Sequence, residues 1–244
     1  MSAKVIAIDG PAYVGKSQIA GALSGLTGYA FMNTGHMYRT VAKKARKGGL
    51  HAAEKDALLK CASALEFRFE AGKTYVNGED WTLSLDDPEI VSFASKIAAI
   101  PELRAVLTDL QRQYAQKEWI IMEGRDIGSV VFPDARWKFF VTASLEVRAF
   151  RMRKMMPPAE QSQCPDFRVL IPKVLEIDEA DRNRKVAPLV AAPDALIYDN
   201  AESPSAIQDA RVLHYYLTHE DEVIRNAEIL KHTALSTGVQ SGKH

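Results

Sequence analysis

The run GPAYVGKS, residues 10–17, stands directly behind KVIAID (Lys4–Asp9) and directly ahead of a helix-like stretch that begins at Lys16 and reaches about Leu26. A glycine-bracketed loop ending in Lys-Ser between a buried strand and a helix is the G-x-x-x-x-G-K-[ST] pattern, and no other feature of the chain constrains the fold as much. In such a loop the main-chain N–H groups and the helix N-terminus converge on phosphate oxygens. Lys16 adds a point charge, and Ser17 can offer its hydroxyl to a magnesium ion. The bland alternative is a chance glycine turn beside a surface lysine, and the agreement of strand, spacing and helix argues against it. Tyr13 is unusual in a loop usually made of small residues. It removes no donor, because the cradle is main chain, but a left-handed backbone there would cost about 1–2 kcal/mol. The expectation is therefore a right-handed or extended backbone at Tyr13, with the ring directed out of the anion site.

KVIAID is short, nearly all apolar and rich in β-branched residues, which suits a strand buried on both faces of a parallel sheet. Similar runs recur at Tyr29–Met32, Trp119–Met122, Trp137–Val141 and Ala195–Tyr198, each separated by enough chain for a helical crossover. That is the pattern of a doubly wound α/β fold. Ser144 ahead of LEVRAFRMRK and Ser203-Pro204 ahead of SAIQDARVLHYYL read as helix starts, the second with proline at the first helical position. Two stretches break the alternation. Leu65–Leu83, with its Asn77-Gly78 turn, reads as small antiparallel strands beside the main sheet. Met155–Arg184 opens as a polar, proline-bearing loop and passes into a charged helix, the composition of a mobile flap. The tail after about Asn226 has too few apolar residues to pack and is expected to be disordered.

Charge narrows the function classes. Lys plus Arg and Asp plus Glu both number 31, so no global field draws the chain toward nucleic acid or an anionic membrane, and any anion site must be local. Cys61 and Cys164 lie far apart and outside any CxxC spacing, which indicates neither a disulfide framework nor a zinc site. Strand-sized apolar runs and the absence of a signal-peptide pattern lead us to expect a cytoplasmic, monomeric protein without nucleic-acid or membrane partners. The phosphate loop alone leaves GTPases, ATPases and small-molecule kinases open. No N/T-K-x-D stretch supports guanine recognition. Instead arginines stand at strand ends and loops: Arg39 in NTGHMYR, Arg104 in PELRAVL, Arg125 in MEGRDIG, and Arg182 and Arg184 in DRNRKVAPL. Arginine suits a bidentate grip on phosphate and neutralises charge on a phosphoryl group in transfer; taken singly, each is as readily a solvated surface residue.

IAIDGPAYVGKS, NTGHMYR, VNGED, SKIAAIPELRAVLTDLQR, MEGRDIGSVVFPDARWKFFVTAS, RAFRMR and DRNRKVAPLVAAPDALIYDN, in this order and at these spacings, resemble the bacterial cytidylate (CMP) kinases from about residue 4 to about residue 218. The resemblance implies an α/β P-loop fold with a five-stranded parallel core (1–39, 101–151 and 185–226), an enlarged monophosphate-binding insert near 40–100 and a lid near 152–184, with 227–244 left as a polar tail. It implies transfer of the ATP γ-phosphoryl group to CMP or dCMP with Mg²⁺. Gly10, Pro11, Ala12, Tyr13, Val14, Gly15, Lys16, Ser17 and Gln18 are then the ATP-binding run, with Ser17 and Glu123 beside the metal. The base site carries over to Ser95, Arg104 and Asp126. Cytosine supports this chemically, since its amino group needs a carboxylate acceptor and its N3 and O2 need donors, whereas uracil would set a carbonyl against Asp126. Thr34, Arg39, Arg125 and Arg184 fall at the monophosphate, Asp181 at the sugar. Lys16, Arg125 and Arg184 fall at the transferring group together with lid arginines, for which Arg151, Arg153 and Arg182 are the unranked local choices. No general base is required, because a loose phosphoryl-transfer transition state is served by positioning and charge neutralisation.

Several positions depart from the family. Asn33-Thr34-Gly35-His36 replaces the usual Asp-Thr/Ser-Gly-Ala, which loses a carboxylate and adds an imidazole that could face solvent, narrow the pocket or donate to phosphate. Asp86 stands where arginine is usual, and Ile177 replaces a substrate-binding arginine one turn before Asp181. Two readings therefore compete with CMP kinase: a kinase of the same fold for another acceptor (UMP, AMP or a non-nucleotide), and a nucleotide-binding protein whose catalysis has decayed.

Overall fold

The computed structural model describes residues 4–70, 72–116 and 118–219; the polar tail expected to be disordered lies outside these described residues. The chain runs β1 (Val5–Asp9), α1 (Lys16–Thr27), β2 (Ala30–Asn33), α2 (Thr34–Lys47), α3 (Lys55–Ser63), β3 (Phe67–Glu70), β4 (Lys73–Val76), β5 (Glu79–Asp80), α4 (Pro88–Ile97), α5 (Pro101–Tyr114), β6 (Ile120–Glu123), β7 (Trp137–Thr142), α6 (Leu145–Met155), α7 (Pro158–Gln163), α8 (Ile171–Arg182), β8 (Leu196–Asp199) and α9 (Ala206–Thr218). A single π-helical turn, Ile127–Val131, follows β6.

Five strands form one parallel sheet in the order β2-β6-β1-β7-β8, as the repeated apolar runs predict. Strand alternation sends Val5 and Ala7 into one core, shared with Met32, Met122 and the apolar faces of α2 and α5, and Ile6 and Ile8 into the other, shared with Ile19 and Leu23 of α1 and Leu213 of α9. Because the strands run parallel, every βα loop opens at the same carboxyl edge, where β1 and β6 deliver the phosphate loop and the Glu123–Ile127 segment.

The segment between α3 and α4 forms a three-stranded antiparallel sheet, β3-β4-β5. Asn77 and Gly78 at φ 49° and 86° turn β4 into β5, the pair of left-handed residues that a tight hairpin needs. The second predicted helix start is corrected. Ser205, not Ser203, caps α9 by accepting from the Gln208 N–H, and Pro204 lies ahead of the cap rather than inside the first turn. Ser144 does cap α6, accepting from Val147. The stretch after α6 is more helical than a polar loop suggests, because α7 and a 3₁₀ turn at Phe167–Leu170 fold it back before α8. Among the described residues, no helix is long and apolar enough to cross a membrane.

Candidate functional site

The phosphate loop leaves β1 at Gly10, where φ is 147° and a Cβ would stand 2.1 Å from the Val141 carbonyl of β7, so no residue with a side chain fits that exit. Beyond it, the loop is held by its carbonyls. Lys16 Nζ donates to Pro11 O at 2.7 Å, Arg148 Nη1 to Ala12 O at 3.3 Å, and Val14 O accepts from both Asn200 Nδ2 at 2.7 Å and Arg151 Nη1 at 3.0 Å. In a planar trans peptide the N–H points opposite to the C=O. Pinning those carbonyls on the protein side therefore turns the N–H groups of Ala12, Tyr13 and Gly15 the other way, into an anion-binding concavity at the start of α1.

Tyr13 corrects the sequence expectation. Its φ is 62°, left-handed, like that of Gly15 at 91°. Convergent N–H groups require left-handed residues in the loop, and that geometric demand overrides the tyrosine's own preference. The strain is offset by packing, for the ring joins the apolar cluster of Ala149, Met152 and Val174, which binds α6 to α8.

Lys16 is buried, and that burial, aided by Arg125, lowers its pKa to about 7 against the opposing pull of Glu123 and Asp9. An arriving phosphate would restore the ammonium form. Ser17 Oγ donates to Glu123 Oε1 at 2.7 Å and accepts from Asn33 Nδ2 at 3.3 Å. Asn33 Oδ1 in turn caps α2 through the His36 N–H at 3.2 Å. Thus the Asn33 amide serves both the helix cap and the serine. Thr34 Oγ1 donates to Glu123 O at 2.8 Å, and a Cβ on Gly124 would stand 2.8 Å from Ile127 Cδ1 and 2.9 Å from Thr34 Oγ1, so a side chain at this strand end would force those two side chains to shift.

His36 neither faces solvent nor reaches toward phosphate. It is buried with Nδ1 at 2.8 Å from Thr74 Oγ1 of β4, and burial, reinforced by Arg39, depresses its pKa to about 4, leaving it neutral. Asp9 escaped the sequence reading. Its two oxygens accept from Ile127 N at 2.9 Å and Gly128 N at 2.7 Å, so it clamps the π turn that presents Asp126. Burial raises it to about 6 against those bonds. Its place at the very end of β1, next to the loop, was the available signal.

The other side of the cleft is made of ion pairs. Arg104 Nη2 and Asp126 Oδ2 meet at 2.5 Å, both buried, with Arg104 Nη1 also donating to Ala98 O at 3.2 Å and its guanidinium 5.5 Å from the Tyr38 ring. Arg125 Nε donates to Asp181 Oδ2 at 2.8 Å, and Arg184 Nε donates to Asp181 O at 3.2 Å. Arg184 Nη2 is buried without a hydrogen-bond partner among the described residues. Burial lowers the Arg184 pKa, Asp181 opposing and Arg104 and Arg125 adding to the fall, which describes a cation short of anions. Arg39 Nη1 lies 2.5 Å from Asp86 Oδ1. Ser95 sits exposed on α4.

The three arginines expected in or beside a lid do unlike things. Arg151 spends its guanidinium on Val14 O, Asn200 Oδ1 and Asn200 O, all at 3.0 Å. Arg153 donates to Gln161 O at 3.0 Å and to Cys164 O, folding back the segment that follows α6. Arg182 is half exposed, 3.9 Å from Asp178. A second residue missed in the sequence is Arg148, paired with fully buried Asp178 at 2.7 Å while also holding Ala12 O, so one guanidinium joins α6, α8 and the phosphate loop. Its signal, an arginine one turn before Arg151 and Met152 on the face of α6 that carries Ala149, lay hidden in the RAFRMR run.

Among the described residues, His, Cys, Asp and Glu side chains form no group of three or more suited to a metal ion. The donor set at Ser17 and Glu123 is one hydroxyl and one carboxylate. That is what Mg²⁺ takes from a protein when phosphates and water supply the rest of its shell, so the residues present fit it.

A family model for cytidylate kinase matches residues 6–213. A cytidylate kinase from Clostridium botulinum (strain Loch Maree / Type A3) is 38% identical over 196 residues, covering 80% of this chain and 89% of that protein. One from Chromobacterium violaceum is 35% identical over 202 residues, 83% of this chain and 90% of its own length. One from Neisseria meningitidis serogroup C is 36% identical over 214 residues, 87% and 97%. The structure of a sugar kinase from Janibacter sp. aligns over 86% of this chain and 92% of its own at 16% identity and a TM-score of 0.39, too weak a likeness to bear on fold or function.

Proposed function

The chain belongs to the cytidylate kinase family and is a phosphotransferase that phosphorylates CMP and dCMP with ATP; from that premise we propose how its residues divide the work. The loop from Gly10 to Gln18 holds the ATP phosphates, with Lys16 on their charge. Ser17 and Glu123 would hold Mg²⁺, which would supply charge neutralisation at the phosphates. Residues 40–100 act as the monophosphate-binding insert and 152–184 as the lid.

The observation that carries the acceptor side is the buried Arg104–Asp126 pair. A carboxylate fixed in that position accepts from the cytosine amino group while its arginine partner serves a ring acceptor, and Ser95 comes to the base when the insert closes. Uracil would leave the carboxylate facing a carbonyl. Arg39, Arg125 and Arg184, with Thr34, hold the monophosphate, and Asp181 takes the sugar hydroxyl. Arg182 is the lid cation least committed elsewhere. Arg151 assists by holding the loop's carbonyl side. These groups orient donor and acceptor, exclude water and offset charge in the transition state, and none needs to remove a proton in advance.

The alternative acceptors and the decayed-enzyme reading are favoured by none of these findings. ATP-dependent ADP formation with CMP, dCMP, UMP and AMP in turn is the direct check. Both cytidine nucleotides should be turned over in preference to UMP and AMP, and turnover at background with both would sink the reading.

A further inference from the structure

Helix α2 carries a basic stripe, Arg39, Lys43 and Arg46, and each member is already taken by the segment that leads into α4 or by its first turn. Arg39 pairs with Asp86, Lys43 Nζ donates to Ser84 Oγ at 2.5 Å and lies 4.3 Å from the Trp81 ring centroid, and Arg46 pairs with Glu89. Of the three, Arg39 lies nearest the helix N-terminus, which begins at Thr34 beside Glu123. Arg39 and Arg125 are also the two cations that act electrostatically on Tyr13 of the phosphate loop. The Arg39 guanidinium is paired with a carboxylate that is 55% exposed. An exposed carboxylate can swing into water at little cost, so the pair is breakable, and a phosphate dianion is the stronger competitor for a guanidinium fork.

We propose that Asp86 is a positioning residue that acts through Arg39: it holds the guanidinium in the insert until the acceptor's phosphate displaces it, and so sets the acceptor KM rather than the rate of transfer. The proposal rests on the reading that the acceptor is CMP or dCMP. Its energetic basis is competition. Whatever Asp86 gains from Arg39 in the free enzyme is lost when Arg39 turns to substrate, which weakens acceptor binding by that amount and leaves the ATP side untouched.

The experiment is steady-state kinetics with CMP varied at saturating ATP for wild type, Asp86→Asn, Asp86→Arg, Arg39→Ala and Arg39→Ala/Asp86→Asn. Removing the charge in Asp86→Asn should lower the KM for CMP about two- to fivefold, as expected for releasing an exposed pair, with kcat and the KM for ATP unchanged. Asp86→Arg should lower it further, because it adds a cation instead of only removing an anion. In the Arg39→Ala background, Asp86→Asn should no longer lower the KM, an outcome that a merely structural role for Asp86 would not produce. An unchanged or raised KM in Asp86→Asn, or a decrease that persists without Arg39, overturns the proposal. Asp86 is half exposed and only its backbone N–H closes the short 3₁₀ turn before it, the side-chain cap of α4 being Asp87, and thermal melting of each variant checks that the fold is retained. Wild-type protein that turns over neither cytidine nucleotide removes the acceptor reading and this proposal with it, whereas normal wild-type turnover with no KM change in Asp86→Asn removes the proposal alone.

Discussion

The phosphate loop and the acceptor side of the cleft face each other across the carboxyl edge of one sheet, yet they are organised by opposite means. In the loop, cationic and amide side chains (Lys16, Arg148, Arg151, Asn200) are bonded to backbone carbonyls, so the structure exposes N–H groups whose direction no ligand has to rearrange. On the acceptor side the cations are bonded to carboxylates: Arg104 to Asp126, Arg125 to Asp181, Arg39 to Asp86. On the proposed division of roles, a nucleotide entering the loop would meet a preformed anion site, whereas one entering the acceptor side would have to compete with, or share, a carboxylate at each arginine. The proposal then assigns intrinsic affinity to the donor side and discrimination to the acceptor side, because an ion pair that must be repartnered penalises every ligand that cannot replace what it displaces.

The comparison is tested most severely at Lys16, the charge that the loop cannot replace with main chain. Lys16→Ala should lower kcat by about a thousandfold, the scale of losing one preorganised stabilising group in a water-excluded site, and near-normal turnover would show that the loop works without it. The wild-type lysine also makes a proton prediction. Burial holds its pKa at about 7 in the free protein, and bound phosphate favours the ammonium. Above that pH nucleotide binding must therefore take up a proton, approaching one at about pH 8.5 and falling away toward about pH 6. Calorimetry in buffers of unlike ionisation enthalpy reads that number, and Lys16→Ala should abolish it. The sign for the free protein is opposite to a stabilising pair. A lysine whose pKa is lowered on folding opposes stability fully below pH 7, and the opposition fades as pH rises from there toward 10.5.

Asp126 tests the other half. Asp126→Asn keeps the shape and one acceptor oxygen but leaves Arg104 without its buried counter-ion. The preference for CMP over UMP in kcat/KM should fall by roughly a hundredfold, since a site built to pair a polar edge rejects the wrong edge by about that much or more. Stability should fall as well, by about 3 kcal/mol in chemical denaturation, because an arginine is left buried and unpaired. Lost stability with unchanged base choice would make the pair structural and move recognition elsewhere.

The strands, the loop and the arginine cluster were legible because each is written in contiguous residues: apolar runs for the sheet, GPAYVGKS for the loop, GRDIG and DRNR for the acceptor side. What stayed hidden is contact across the fold. Nothing local in RAFRMR says that Arg148 should reach Ala12 O and Asp178, nor does NTGH say that His36 should turn away from the cleft to Thr74, since both depend on where distant elements dock. Asp9 was overlooked because a carboxylate closing an apolar strand reads as a strand end, while its function is to hold the N–H groups of Ile127 and Gly128 more than a hundred residues away. The cap of α9 slipped by two residues because Ser-Pro is a strong local signal, and Ser205 offers the same hydroxyl closer to the apolar face.

Tyr13 joins the two regions and gives the smallest expected effect. Its backbone at φ 62° belongs to the loop, while its ring packs with Met152 and Val174 where α6 meets α8, at the root of the proposed lid. Those contributions separate in two variants that remove the same ring. Tyr13→Ala loses the packing and keeps the left-handed strain; Tyr13→Gly loses the packing and relieves the strain, at the cost of a more flexible unfolded chain. If the loop enforces the left-handed conformation, the glycine variant should be the more stable of the two by about 1 kcal/mol, read as the difference in denaturation midpoints multiplied by a common m value. Both should bind ATP through an intact cradle, because Tyr13 contributes its N–H and not its ring. An alanine variant as stable as glycine would mean that the strain at position 13 is absent without the ring, and that the lid, through its grip on the tyrosine, imposes the conformation that the loop uses.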